Sequence, residues 1–134
     1  MSGQTIKIVF AGIGCDTVNQ WLPAIREAFP SDKIDPVRSP SIAEARDAQY
    51  LRDARVVYVS AGDSAMQLVA DAKRNRVADR MVFVASDKPD SMSMAESLVQ
   101  TTGGLAFHWK TGVSTPSELA TATRLHLQKI QRQG

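Results

Sequence analysis

The sequence predicts an α/β domain in which five strands alternate with five helices around a parallel sheet. Strand-length apolar runs rich in β-branched residues recur along the chain, as at residues 55–60 and 81–85. Apolar residues at helical spacing separate these runs. Strands that are apolar along their whole length are typical of a parallel sheet covered on both faces. With 134 residues, of which 43% are hydrophobic, the chain has enough apolar surface for one domain over residues 1–134.

Each strand and the first helix follow from local patterns. The strands are predicted at residues 6–11, 33–37, 55–60, 81–85 and 105–109. In the first helix, Val18, Leu22 and Ile25 recur at a spacing that gives one apolar face. Pro23 lies inside this helix and predicts a kink or a late start near Asn19, because an interior proline removes a backbone hydrogen bond.

The other helices carry start and stop signals. Capping boxes, in which a hydroxyl residue is followed by glutamate three positions later, are predicted at Ser41, Ser93 and Thr115. Pro116 suits the first position of the last helix, which is expected to end near Gln131. The third helix is expected over residues 64–77. Gly103 is expected to end the fourth helix in a left-handed conformation.

The alternation of strands and helices restricts both the order of the strands in the sheet and the position of a functional site. Right-handed crossovers make the flavodoxin-like strand order 2-1-3-4-5, in three αβα layers, the natural one for five strands. Ligands of such sheets bind beyond the carboxyl ends of the strands. The residues expected there are Gly12 to Asp16, Ser60 to Asp63, Ser86 to Lys88, and Lys110 to Gly112.

Composition argues against several classes of protein. The formal net charge of +2 gives no strong basic excess, so no nucleic-acid partner is expected. No apolar run is long enough to span a membrane, and the first residues lack a secretory signal, so a cytoplasmic location without a membrane partner is expected. Cys15 is the single cysteine, and His108 and His126 do not lie at ligand spacing, so neither a metal nor a cofactor is expected.

The loop after the first strand offers an alternative chemistry. Gly12 and Gly14 hint at a dinucleotide-binding loop, but Thr17 stands where the fingerprint has its third glycine. Cys15 lies near a helix start, where the helix dipole lowers a thiol pKa. A small carrier or enzyme that uses residues 12–15 is therefore one competing hypothesis.

The end of the chain resembles the CheY-like receiver domains of two-component response regulators. In that family the fifth strand ends in a lysine, preceded by an aromatic switch position and a turn glycine. Lys110, Phe107 and Gly103 fall into this frame. The resemblance covers the whole chain through its alternating strands and helices and is specific in the last quarter. It implies a role in signal transduction.

The rest of the receiver site departs from the family pattern. Receivers hold Mg²⁺ with an acidic pair after the first strand and are phosphorylated on an aspartate that closes the third. Here Asp16 stands alone and late, and Ser60 occupies the acceptor position. Asp63 is interpreted as the cap of the third helix and Ser86 as the hydroxyl residue after strand four, while Lys110 is the expected strand-terminal lysine.

Because phosphotransfer to a carboxylate needs Mg²⁺ held by carboxylates, the resemblance implies an atypical receiver, or pseudo-receiver. The N-terminal domains of Tad-type pilus assembly ATPases are similar in having a degenerate pocket. The remaining alternative is a true receiver that is phosphorylated on a displaced aspartate.

A receiver-like domain without this chemistry is expected to act by contact and not as an enzyme. The expected partner is another protein, an output domain fused to this one, or a second copy in a homodimer. The expected surface is formed by the fourth predicted helix, the fifth strand and the fifth helix. Phe107 and Trp109 are its candidate aromatic anchors, and Glu96 and Arg124 are candidates for charge pairs across it.

Overall fold

The computed structural model describes residues 5–39, 41–46 and 48–133, without the side chains at positions 48, 63, 132 and 133. The strands are β1 (Thr5–Ala11), β2 (Lys33–Ser39), β3 (Ala54–Ser60), β4 (Met81–Ala85) and β5 (Leu105–His108). The helices are α1 (Cys15–Ala28), α2 (Ile42–Ala45), α3 (Ala48–Leu51), α4 (Asp63–Arg74), α5 (Ser91–Thr102) and α6 (Pro116–Gln133), with a 3₁₀ turn at Ala78–Arg80. None of the helices in these ranges is long and apolar enough to cross a membrane.

All five strands are parallel and lie in the order β2-β1-β3-β4-β5, which confirms the predicted topology. At the far edge, β5 pairs with β4 so that His108 lies opposite Ala85. The central strands β1, β3 and β4 are almost entirely buried. This burial explains why they read as continuous apolar runs.

Two apolar clusters cover the two faces of the sheet. Along β1, Phe10 belongs to the cluster under α1 and α6, while Val9 belongs to the cluster under α2 to α5. Neighbouring residues point to opposite faces because side chains alternate along a strand. The three-layer αβα architecture is therefore as predicted.

Two helix starts differ from the predictions. Helix α1 begins at Cys15, so the late start near Asn19 is wrong. Its buried stripe, which runs through Val18 and Ile25, begins well before Pro23, and packing of that stripe outweighs the local cost of the proline. Helix α5 begins at Ser91, so the capping box at Ser93 is also wrong, because Ser93 already lies inside the helix.

The other local signals have mixed outcomes. Ser41 and Thr115 accept hydrogen bonds from backbone N–H groups three residues later, as predicted. Gly103 ends α5 at φ +77°, also as predicted. The second predicted helix consists of the two short helices α2 and α3, and the third ends at Arg74. Strand β5 ends at His108, one residue earlier than expected.

Two buried polar groups stabilise the packing of the helices. Asp71, on α4, is 5% exposed and accepts hydrogen bonds from Arg46 at 2.8 Å and from Arg74. Tyr58, on β3, is fully buried and donates its hydroxyl proton to Thr123 Oγ1 of α6 at 2.8 Å. Burial raises the pKa of the Tyr58 phenol far above its ordinary value.

Candidate functional site

A cleft of about 830 Å³ lies at the carboxyl edge of the sheet, where the loops after β1, β3, β4 and β5 meet. Helices α1, α4 and α5 all begin at this edge, since each follows one of these strands. The sequence predicted function at this edge, and this cleft is larger than a second cleft beside the end of α1.

The loop after β1 turns back toward β2. Gly12 has φ +68°, and its N–H donates to the Ser39 carbonyl at 2.9 Å. A Cβ at this position would come within 3.0 Å of the Ile42 side chain, so glycine is required here for both reasons. Gly14, at the N-cap of α1, has ordinary extended dihedrals and lines the cleft. Asp16 is exposed in the first turn of α1 and does not line the cleft.

The loop after β3 presents a hydroxyl group at Ser60, the residue predicted from the sequence to stand at the acceptor position. Ser60 is exposed at the end of β3 and lines the cleft. The next residue, Ala61, donates its N–H to the Val84 carbonyl of β4 at 2.9 Å. Gly62 occupies the N-cap of α4, one residue before the cap that the sequence predicted at Asp63. The side chain of Asp63 lies outside the described part of the structure.

The loop after β4 is closed by its own hydroxyl groups. Ser86 lines the cleft and donates its N–H to Ser91 Oγ at 2.8 Å. Its own Oγ accepts the Lys88 N–H at 3.3 Å, and the Ser91 N–H donates to the Lys88 carbonyl at 3.1 Å. Ser86 therefore helps to hold the turn that leads into α5.

The predicted lysine does not face the cleft. Lys110 is exposed, and its N–H donates to Ser114 Oγ at 2.8 Å in the turn after β5. Trp109 lines the cleft instead. Its N–H donates to the Ala85 carbonyl at 2.8 Å, which extends the pairing with β4 one residue beyond β5. Lys110, the next residue, is not among the residues that line the cleft.

A short polar network holds the turn beside Lys110. The Thr111 N–H donates to the Asp87 carboxylate at 3.1 Å, and this hydrogen bond holds the pKa of Asp87 below its ordinary value. His108 Nε2 lies 3.4 Å from the other carboxylate oxygen of Asp87. The network connects the loop after β4 to the loop after β5 at the rim of the cleft.

Two indoles form the aromatic wall of the cleft. The rings of Trp21 and Trp109 lie 5.5 Å apart, centroid to centroid. Trp21 is 3% exposed and also packs against Phe10 and Tyr58 in the core. Its indole N–H is buried without a hydrogen-bond partner in the described structure. The sequence reasoning missed Trp21, although its position on the apolar face of α1, beside Val18, was a usable signal.

The four predicted interface residues lie on different parts of the surface. Phe107 is half-buried beneath α6, and its ring lies 6.3 Å from that of Trp109. Glu96 is exposed on α5. Arg124 lines a second cleft of about 230 Å³ together with Phe29 and Arg55, on the side of α6 that faces the end of α1. The structure therefore does not bring Arg124 onto the β5 side of α6.

The remaining candidate chemistry is sparse within the described residues. Cys15 is a free thiol, exposed at the first position of α1. Among the residues of the described ranges, no cluster of three His, Cys, Asp or Glu side chains could hold a metal ion. Of the described residues that line the larger cleft, Asp90 carries a carboxylate and Lys88 an amine.

No protein-family model matches the sequence, and no curated protein is significantly similar to it. Among solved structures, the chain is similar to HP1043, an orphan response regulator of H. pylori, with a TM-score of 0.60 and 12% identity over 91% of this chain and 96% of that one. It is also similar to a response regulator receiver domain from Rhodospirillum rubrum, with a TM-score of 0.56 and 17% identity over 94% of each chain. At such identities the likeness shows the fold. The chain has the receiver-domain, CheY-like fold, as the sequence predicted.

Proposed function

We propose that this chain is a receiver-like signalling module that acts by protein–protein contact and independently of phosphorylation. The single observation that carries the proposal is the composition of the cleft. The loops after β1 and β3 present Gly14 and Ser60 where a receiver needs carboxylates. Asp16 and Lys110 lie outside the cleft wall.

Chemistry explains why this composition matters. Phosphotransfer to an aspartate crowds anionic oxygens together, and Mg²⁺ both neutralises and orients them. Mg²⁺ binds oxygen ligands in near-octahedral geometry, usually with one or two carboxylates. Among the described lining residues, Asp90 is the only acid, and it belongs to the loop after β4 and not to the loops after β1 or β3.

A contact surface is available at the β5 face, which we define as the exposed sides of α5, β5 and α6. All four residues of β5 are half-buried, and no strand of the described chain pairs with its outer edge. An open strand edge of this kind is a template for another chain. Phe107 supplies an aromatic ring under this face, while Trp109 belongs mainly to the cleft.

The test is exposure to phosphoryl donors. The protein is incubated with acetyl phosphate and Mg²⁺ and analysed by intact mass, with a typical receiver domain treated in parallel. We expect the control to be phosphorylated and this chain to keep its mass. Amide NMR spectra with and without beryllofluoride and Mg²⁺ are expected to coincide. A stoichiometric acyl phosphate, on Asp16, Asp63 or Asp90, would establish the competing function of a true receiver with a displaced acceptor.

A further inference from the structure

The cleft at the carboxyl edge has the dimensions of a small-molecule site. Its volume of about 830 Å³ falls within the range of about 300–1,000 Å³ that is usual for ligand pockets. It also lies at the edge of the sheet where doubly wound folds bind their ligands. We propose that this cleft binds a small molecule that combines a flat aromatic ring with an anionic group.

The ring is expected to stack on Trp109. This indole is half-buried and lines the cleft, while Trp21 lies behind it at 5.5 Å. Trp21 is in turn fixed by Phe10 at 6.4 Å and Tyr58 at 5.8 Å, so the platform is anchored in the core. The part of the Trp109 indole that stays exposed in the cleft is a favourable surface for stacking another planar ring.

The anionic group is expected at the N-termini of α1 and α4. Both helices begin at the cleft with a glycine in the N-cap position, Gly14 and Gly62, and neither start has a side-chain cap. The N-cap glycines therefore place no side chain over the first-turn N–H groups, and the orientation of these groups and the helix dipole favour an anion there. A Cβ at either glycine would meet no atom within 4 Å, so the structure leaves room for a ligand group beside both.

An independent observation is the unsatisfied indole N–H of Trp21. This side chain lines the cleft and is 3% exposed, yet its nitrogen has no acceptor among the described atoms. Buried donors in proteins are nearly always paired, because an unpaired buried N–H is costly. The nitrogen itself is fully buried, so an acceptor oxygen or nitrogen of a ligand would reach it from the cleft once the indole shifts toward that side.

Intrinsic fluorescence tests the proposal directly. Trp21 and Trp109 are the two tryptophans of the sequence, so the emission of the whole chain reports on the cleft wall. The probes are AMP and benzoate, which combine a ring with an anion, and their neutral counterparts adenosine and benzamide, with inorganic phosphate as the anion alone. We expect saturable binding of AMP or benzoate, at least about tenfold tighter than that of the neutral counterpart or of phosphate.

The same titrations distinguish the two kinds of ligand that combine a ring with an anion. Tighter binding of AMP indicates a nucleotide-like ligand, and tighter binding of benzoate indicates an aromatic acid. The proposal is overturned if none of these probes gives a saturable change at millimolar concentration, or if the neutral probes bind as tightly as the anionic ones.

Substitutions at Gly14 separate the anion site from a structural role. Gly14→Asp provides a helix cap but places a carboxylate where the anion is expected, while Gly14→Ser provides a neutral cap. We expect neither variant to lower the thermal midpoint. We expect Gly14→Asp to weaken binding of the anionic probe by about tenfold or more relative to Gly14→Ser.

Trp109→Ala is expected to weaken binding of the same probe, measured by amide NMR. Val113→Ala, exposed and outside the cleft, is the matched control and is expected to bind normally. Unchanged affinity in Gly14→Asp would overturn the anion site even if Trp109→Ala is too unstable to measure. This proposal does not depend on the proposed contact function, which is tested by phosphoryl donors and by self-association.

Discussion

The indole of Trp109 packs against the indole of Trp21 at a centroid distance of 5.5 Å, at the carboxyl edge of the sheet. Lys110, the next residue, is exposed in the following turn. The Phe107 ring also lies 6.3 Å from the Trp109 ring, so one aromatic row leads from the cleft to β5. The cleft and the β5 face are thus connected by packed side chains.

The first prediction compares the contributions of Trp109 and Lys110 to stability. Trp109→Ala is expected to lower the free energy of unfolding by about 2 kcal/mol, since it removes a half-buried ring from an aromatic cluster. Lys110→Ala is the adjacent control and is expected to change it by less than about 0.5 kcal/mol, because its side chain is exposed. Urea unfolding followed by circular dichroism measures both, and a larger effect at Lys110 would contradict this assignment.

The second prediction concerns the acceptor position. Ser60→Asp places a carboxylate at the exposed end of β3 without disturbing buried packing. We expect this variant to remain unphosphorylated by acetyl phosphate and Mg²⁺, because the loop after β1 presents no acidic pair to the cleft and Lys110 does not line it. Intact mass is the measurement. Stoichiometric phosphorylation of Ser60→Asp but not of the original chain would show that a single substitution restores the site.

The third prediction is weak self-association through the β5 face. Leu125 is 55% exposed on α6 and Glu96 is exposed on α5, so both can be replaced without loss of core packing. Leu125→Glu is expected to weaken a dimer clearly, while Glu96→Lys changes it by only about 0–1 kcal/mol, as is usual for exposed charge pairs. Sedimentation velocity over a concentration series measures the effect.

Arg124→Glu is the control for this experiment, because Arg124 lies on the α1 side of α6. We expect its self-association to equal that of the original chain. Loss of the dimer in Arg124→Glu alone would indicate that the dimer contact lies at the second cleft and not at the β5 face. A strict monomer at high concentration would leave a different protein as the partner of the β5 face.

The fourth prediction concerns Tyr58 and alkaline pH. The folded pKa of this phenol is raised by burial, so the folded state retains a proton that the unfolded chain releases above about pH 10. Stability is therefore fully present below that pH and is lost as pH rises above it. Tyr58→Phe is expected to cost about 1 kcal/mol at neutral pH and to show a shallower alkaline loss.

Thermal unfolding at pH 7 and above pH 10, with and without the substitution, checks this prediction. Thr123 keeps its 2.8 Å hydrogen bond to the Leu119 carbonyl in Tyr58→Phe, so no buried donor is left unpaired. If the original chain and Tyr58→Phe lose equal stability at alkaline pH, groups other than Tyr58 dominate the pH dependence of stability.

The sequence by itself determined the alternation of strands and helices, and from it the strand order. These features follow from apolar patterns and from topological rules that act on the whole chain. It also determined caps whose partners lie within a few residues, such as Ser41 with Glu44 and the left-handed Gly103. Such signals can be read from the sequence because both interacting groups belong to one local segment, although the same pattern at Ser93 lies inside α5.

Only the tertiary structure decided what the cleft presents. Trp109 lines it and Lys110 does not, and the backbone of Trp109 is held by a hydrogen bond to Ala85 on a neighbouring strand. The register between two strands decides on which side each side chain projects, and a shift by one residue reverses it. The contact between Trp21 and Trp109 joins α1 to the end of β5, far apart in sequence. No local pattern encodes such a pair, because it exists only once the sheet places the two segments side by side.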